Sequence, residues 1–197
     1  MLESRTIEGL KWAHPLSERP GCIPPSRPRG AKAAGIRFER SLAKFLPSAL
    51  HGVWFEFEDR NGHGFCQTDL IYSLLPSFLA ILEVKYTLVP GAHSKLMNLY
   101  IPVVSAALDR EAVGVVVVKN LDPRYRRGRI HTDLETAARD AKDNRYPALL
   151  QWVGQRLTPN LRAKPSAASQ SHSHSQSHSH SQSHAQGVNP CENERVW

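Results

Sequence analysis

Apolar positions recur with regular periods between residues 30 and 157 of the chain and lose that regularity on either side. Over residues 30–46, Ala34, Phe38, Leu42, Phe45 and Leu46 share one helical face and Pro47 follows, so a helix is expected to end there. Residues 53–58 alternate as a strand. The cluster Asp59-Arg60-Asn61-Gly62-His63-Gly64, with Asn-Gly at its centre, is a hairpin turn leading to a second strand over residues 65–74. Pro76-Ser77 turns the chain into residues 78–87, a strand apolar enough to be central, and Pro90-Gly91 breaks it. Helical spacing returns over residues 94–110, with Leu96, Leu99, Val103 and Ala107 on one face. Val115-Val116-Val117-Val118 then marks a buried strand over 112–119. A helix is expected over 132–142, and residues 148–153 form a last strand or helix. The order is α-β-β-β-α-β with two further elements: an α/β fold with a mixed central sheet flanked by helices.

The flanks follow different rules. Residues 1–29 are punctuated by Pro15, Pro20, Pro24, Pro25 and Pro28 and hold no sustained apolar period, so they are expected to be a Pro/Arg-rich arm. Residues 158–197 contain a six-residue repeat of Ser, His and Gln with nothing to bury, which reads as a disordered tail. Its histidines have the chemistry to hold a soft or borderline metal ion, but a solvated spacer is the simpler reading. One domain of about residues 30–157 remains between them.

Composition narrows the class. The 197 residues are 41% hydrophobic, and no apolar run reaches the length of a membrane span. The first residues lack the apolar core of a signal peptide. Cys22, Cys66 and Cys191 are scattered, with no CxxC spacing, and suggest neither a disulfide framework nor a zinc ribbon. A cytoplasmic, reduced protein without membrane contact is expected. Twenty-five Lys and Arg against 18 Asp and Glu give a net charge of +7. Much of the excess lies in Arg19, Arg27, Arg29 and Lys32 and in Arg124-Tyr125-Arg126-Arg127-Gly128-Arg129. A basic cluster with an embedded aromatic suits a polyanion such as nucleic acid, and a solvated loop is its ordinary alternative.

The chemistry concentrates in Thr68-Asp69 and in Glu83-Val84-Lys85. Alternation along a strand puts Glu83 and Lys85 on one face and Leu82, Val84 and Tyr86 on the other. Two charges on so apolar a strand are costly unless something uses them. A short turn at Pro76-Ser77 brings Asp69 beside Glu83. Their carboxylates and the Val84 carbonyl then make an all-oxygen pocket of the kind Mg²⁺ or Mn²⁺ prefers. Glu39 borders the apolar face of the first helix between the small residues Gly35 and Ala43, which should let that helix approach the sheet and bring a third acid to the pocket. The plain alternative is a Glu83–Lys85 ion pair with a capping Asp69. His51, His63, His93 and His131 show no ligand spacing and read as surface or turn residues. Trp54 and Trp152 read as core, and Glu56 and Glu58 as a solvent face.

With Gly35-Ile36-Arg37-Phe38-Glu39, Thr68-Asp69 and Glu83-Val84-Lys85 falling on these elements, the chain resembles the PD-(D/E)XK nuclease superfamily over about residues 30–120. The resemblance implies a restriction-endonuclease-like αβββαβ core and a metal-dependent hydrolase that cuts DNA. Asp69 and Glu83 would be metal ligands, Lys85 the catalytic lysine, and Glu39 the helix glutamate that binds metal or water. Residues 94–102 look like the helix after the active-site strand in phage-type members. Two positions depart from the pattern: Thr68 stands where the naming proline would be, and Leu96 replaces the Gln that exonuclease members carry four residues before a Tyr. The neighbouring Lys95 is a candidate phosphate contact, with an exposed helix lysine as its alternative. Arg124, Arg126, Arg127 and Arg129 would hold flanking phosphates, giving largely sequence-independent affinity. Members that cut both strands pair two active sites, which leaves a homodimer open. The rival reading is a non-catalytic DNA-binding or phage assembly module on the same fold.

Overall fold

The computed structural model describes residues 5–18, 20–21, 28–75, 78–121 and 129–154. Contacts divide the chain into Met1–Leu161 and Arg162–Trp197, and every described residue belongs to the first unit. The Ser/His tail and Arg124, Arg126 and Arg127 lie outside the described residues.

In chain order the elements are β1 (Trp12–Leu16), α1 (Gly30–Phe45), β2 (Leu50–His51), β3 (Trp54–Asp59), β4 (Gly62–Gln67), β5 (Leu70–Leu75) and β6 (Phe78–Thr87). A helical stretch follows as α2 (Gly91–Lys95), a π-helical turn (Leu96–Tyr100) and α3 (Ile101–Leu108). After it come β7 (Glu111–Asn120), β8 (Ile130–His131), α4 (Leu134–Asn144) and β9 (Ala148–Gln151). The fold is mixed α/β. Six strands form the main sheet in the order β2-β5-β6-β7-β9-β8, and β1-β3-β4 form a smaller one. β5 runs antiparallel to β6, whereas β6, β7, β9 and β8 are mutually parallel.

The central strands explain their own place. Every residue from Phe78 to Val84 and from Ala112 to Val118 is buried, as strands covered on both faces require. On one face Leu82, Val84, Val115 and Val117 meet Phe38 and Leu42 of α1 and Leu134, Ala137 and Ala141 of α4. On the other, Ile81, Val116 and Val118 meet Leu96, Tyr100 and Val103, together with Phe55 and Phe57 of the small sheet. Gly114 is needed in β7 because a Cβ there would lie 3.2 Å from Leu96 and from Pro147. α4 starts at Asp133, whose carboxylate accepts from the Thr136 N–H at 2.8 Å.

Two features depart from the reading of the sequence. The stretch expected as one strand over 65–74 is broken at Thr68-Asp69, and its partner bends at Gly52, whose φ of +65° favours glycine. The bent ribbon stays joined through Gly52 N–H to Asp69 O and Thr68 N–H to Val53 O, each 3.0 Å. The hairpin thus leaves the main sheet and builds the small one. Secondly, the segment read as an arm supplies β1, which pairs with β3, while Ile7, Leu10 and Ala13 pack into the second core. Pro15 fits there because β1 is an edge strand. Pro102 lacks the N–H that a regular helix would direct at Asn98, and the Asn98 carbonyl accepts from the Ile7 N–H at 2.8 Å instead. Of the strand or helix left open for residues 148–153, the structure shows a strand, β9 over Ala148–Gln151, placed between β7 and β8.

Candidate active site

Asp69 sits at the bend between β4 and β5. Leu70 pairs with Leu82, so the next antiparallel position places Asp69 opposite Glu83. Its carboxylate accepts from the Val84 N–H at 2.7 Å. Because β5 has ended, the main-chain groups of Val84 face this edge without a strand partner there, and the carbonyl points the same way as the N–H. The turn at 76–77 lies outside the described residues, but the register it produces is the one expected.

Glu83 is fully buried. Its Oε1 lies 2.5 Å from Lys85 Nζ and 3.3 Å from Lys95 Nζ, and Lys85 Nζ also lies 3.9 Å from Asp69 Oδ2. The other oxygen, Oε2, is buried with no hydrogen-bond partner. An unmet carboxylate oxygen in a protein interior is costly and marks a position suited to another donor or a cation. Burial, and then the charge of Glu83, raise the Asp69 pKa to about 6, against the pull of Lys85 and the Val84 N–H. Burial alone would lower the Lys85 pKa, but the charges of Glu83 and Asp69 outweigh it and hold it above the ordinary lysine value. Lys85 is an ammonium in this arrangement.

Lys95 belongs to the same cluster. Of the two readings of Lys95, the plain exposed helix lysine does not hold: its Nζ lies 3.3 Å from Glu83 and 4.5 Å from the Tyr100 ring centroid. The π-helical turn that begins one residue later shifts the phase of the helix between these two residues, a device often found at functional sites. The Tyr100 hydroxyl donates to the Gln67 carbonyl. Burial first, then the nearby Glu83 and Asp69 charges, push its pKa above the usual tyrosine value.

Glu39 is not on the acids. Its Oε1 lies 2.6 Å from His51 Nε2. Among the described residues, no three His, Cys, Asp or Glu side chains converge to hold a metal ion. α1 packs on the face of Leu82 and Val84, whereas Glu83 and Lys85 belong to the opposite face, so Glu39 approaches only at the sheet edge. Its charge still contributes to raising the pKa values of Asp69 and Lys85. Nor does Gly35 mark a close approach, since a Cβ there would meet nothing within 4 Å. His51 is the residue the sequence does not reveal. The two-residue β2 sets it opposite Leu70, next to Asp69, and so short a strand leaves no period to read. His131 is likewise no surface histidine: it is buried and lies 3.1 Å from Asp140.

Arg129 stands apart from the acids. It begins the approach to β8, three strand spacings, or about 14 Å, across the sheet from β6. Its guanidinium is 3.8 Å from Asp140. No helix among the described residues is long and apolar enough to cross a membrane. No protein-family model, curated protein or solved structure matches the chain.

Proposed function

We propose that the chain is a metal-dependent nuclease with a restriction-endonuclease-like core, hydrolysing DNA phosphodiester bonds at Asp69, Glu83 and Lys85. The observation that carries this reading is the buried, partnerless Glu83 Oε2 on a residue that strand register sets opposite Asp69. Two supports come from topology. An antiparallel β5–β6 pair precedes a parallel β6–β7 crossover through α2 and α3, and the ExK residues lie in the second half of β6.

The donor set fits Mg²⁺ or Mn²⁺. Two carboxylates and the Val84 carbonyl are hard oxygen donors, and one oxygen of Glu83 has no hydrogen-bond partner. Asp69, Glu83 and the Val84 carbonyl would hold such a cation, which would supply Lewis-acid polarisation of the scissile phosphate. The chain's own groups do the rest. Lys85, on the same strand face as Glu83, presents an ammonium that stabilises charge growing on the phosphoryl oxygens and orients the attacking water. As a held ammonium it is a hydrogen-bond donor to that water and not its base. Lys95 limits the freedom of Glu83 and adds positive charge to the approach for DNA.

One observation favours the rival reading of a non-catalytic DNA-binding or assembly module. Glu83 Oε1 already contacts two ammonium groups, which is how a protein would neutralise the position without an ion. Incubation of supercoiled plasmid and of labelled linear and branched DNA with Mg²⁺, Mn²⁺ or EDTA separates the two. Metal-dependent products that vanish in Asp69→Ala and Lys85→Ala establish the nuclease. DNA retained but uncut by the wild type establishes the module.

A further inference from the structure

On the α1 side of the sheet, away from the acids, a cavity of about 500 Å³ opens between α1, the ends of β6 and β7, and the residues after β9. That volume is within the range of small-molecule sites, about 300–1,000 Å³. Its floor is aromatic: Phe38 and Trp152 are buried, with ring centroids 5.4 Å apart. Two further rings stand at its sides and are left partly exposed. Tyr86 meets Phe38 edge-on at 6.1 Å, and Phe45 meets Trp152 at 5.2 Å. At the rim are two cations, Arg37 and Lys119. Lys119 Nζ lies 5.1 Å above the Tyr86 ring, and neither cation has a carboxylate partner among the described residues.

An aromatic recess with two uncompensated cations at its mouth calls for a ligand that is flat and apolar at one end and anionic at the other. We propose that this cavity binds a nucleoside monophosphate, its base against the Tyr86 and Phe45 rings and its phosphate between Arg37 and Lys119. Stacking favours a heteroaromatic ring there, and a guanidinium and an ammonium suit a phosphate. Glu39 and Arg37 leave α1 about 160° apart around its axis, so the cavity and the Glu39 edge lie on different sides of that helix. The site stands independently of the nuclease reading.

Calorimetric titration of the full chain with dAMP, deoxyadenosine and inorganic phosphate tests this. dAMP is expected to bind with a Kd of about 0.1 mM, and either half of the molecule at least about tenfold more weakly. Arg37→Gln with Lys119→Gln, both at exposed positions, should weaken dAMP about tenfold or more, while Asp69→Asn should leave it unchanged. Circular dichroism of the double variant confirms that it is folded. Phosphate binding as well as dAMP would reduce the site to a plain anion patch and overturn the proposal. So would deoxyadenosine matching dAMP, absence of dAMP binding, or an unaltered double variant. Loss of dAMP binding in Asp69→Asn would place the nucleotide at the acids and overturn it too.

Discussion

The Val84 N–H donates to Asp69 Oδ2 across 2.7 Å. This one bond lies between Glu83 and Lys85 in sequence and locks the end of β5 to the middle of β6, where the ribbon leaves the main sheet. The acid that would bind an ion is therefore also the residue that sets strand register at the site. Positioning and chemistry share one carboxylate.

Lys85 and Lys95 both touch Glu83 but should not weigh equally. Lys85 is on the strand face with the acid and also approaches Asp69, whereas Lys95 reaches in from the helix. In plasmid cleavage with Mg²⁺, Lys85→Ala is expected to lower the rate by about 10²-fold or more, and Lys95→Ala by about tenfold. Equal losses would show that the helix lysine is the catalytic one.

Asp69 makes stability depend on pH in a recognisable direction. Its folded-state pKa is raised above the unfolded value, so the folded chain binds the extra proton. The stabilisation is complete below pH ~4 and is lost as pH rises through about 6. In metal-free buffer at pH 7, Asp69→Asn should therefore stabilise the protein by about 1–2 kcal/mol, visible as a higher Tm. Mg²⁺ should raise the Tm of the wild type and leave that of the variant unmoved.

Arg5 holds the N-terminal segment through Asp59, which is fully buried and also accepts from the Glu8 and Asn61 N–H groups. Burial would raise the Asp59 pKa, but Arg5 and the two N–H groups outweigh it and leave it lowered. This contribution is present above the unfolded carboxylate value, near pH 4, and fades as pH falls through the folded one. Arg5→Ala should cost about 2 kcal/mol in urea melts at pH 7 and progressively less in acid. An equal cost at every pH would mean that Arg5 acts through its bonds to the Gly62 and His63 carbonyls and its packing on Phe57, over whose ring it lies 5.0 Å, and not through Asp59.

Gly114→Val tests the contact between β7 and the π-helical turn. Its Cβ would start 3.2 Å from Leu96 and from Pro147, both packed, so neither gives way easily. A loss of about 1–3 kcal/mol is expected by thermal melt, with a smaller loss for Gly114→Ala.

Cys66 should be inert in the folded chain. Burial pushes its thiol up to about 12 against the pull of Lys95, so at pH 8 almost no thiolate is present. Iodoacetamide labelling followed by peptide mapping should find Cys66 unmodified until denaturant is added.

The core and the ExK strand were legible because burial on both faces writes itself as unbroken apolar runs. Residues 78–87 match β6 at both ends, and the Val115–118 run is the heart of β7. Register then brought Asp69 to Glu83, since an antiparallel neighbour at a short turn leaves few alternatives. What escaped depends on partners distant in sequence. β1 carries a proline and no usable period; it is a strand only because Glu58 and its neighbours pair with it across some 45 residues. Helix phase and the small residues Gly35 and Ala43 point Glu39 toward the acids, but neither reveals a histidine on a two-residue strand nearer to hand. The break at Thr68 follows from the bend at Gly52 in the facing strand, a cause that lies outside the segment it divides.

The bond from Ile7 to Asn98 has a bearing on how the chain comes to be made. Synthesis runs from the N-terminus, so residues 5–16 leave the ribosome long before β3 and the π-helical turn exist to receive them. Until about residue 59 has emerged the segment lacks its strand partner, and until the π-helical turn has formed it lacks the carbonyl that Pro102 leaves open. The earliest described part of the molecule to be translated is thus fully seated only after the π-helical turn has formed, and its docking closes the small sheet over the second core.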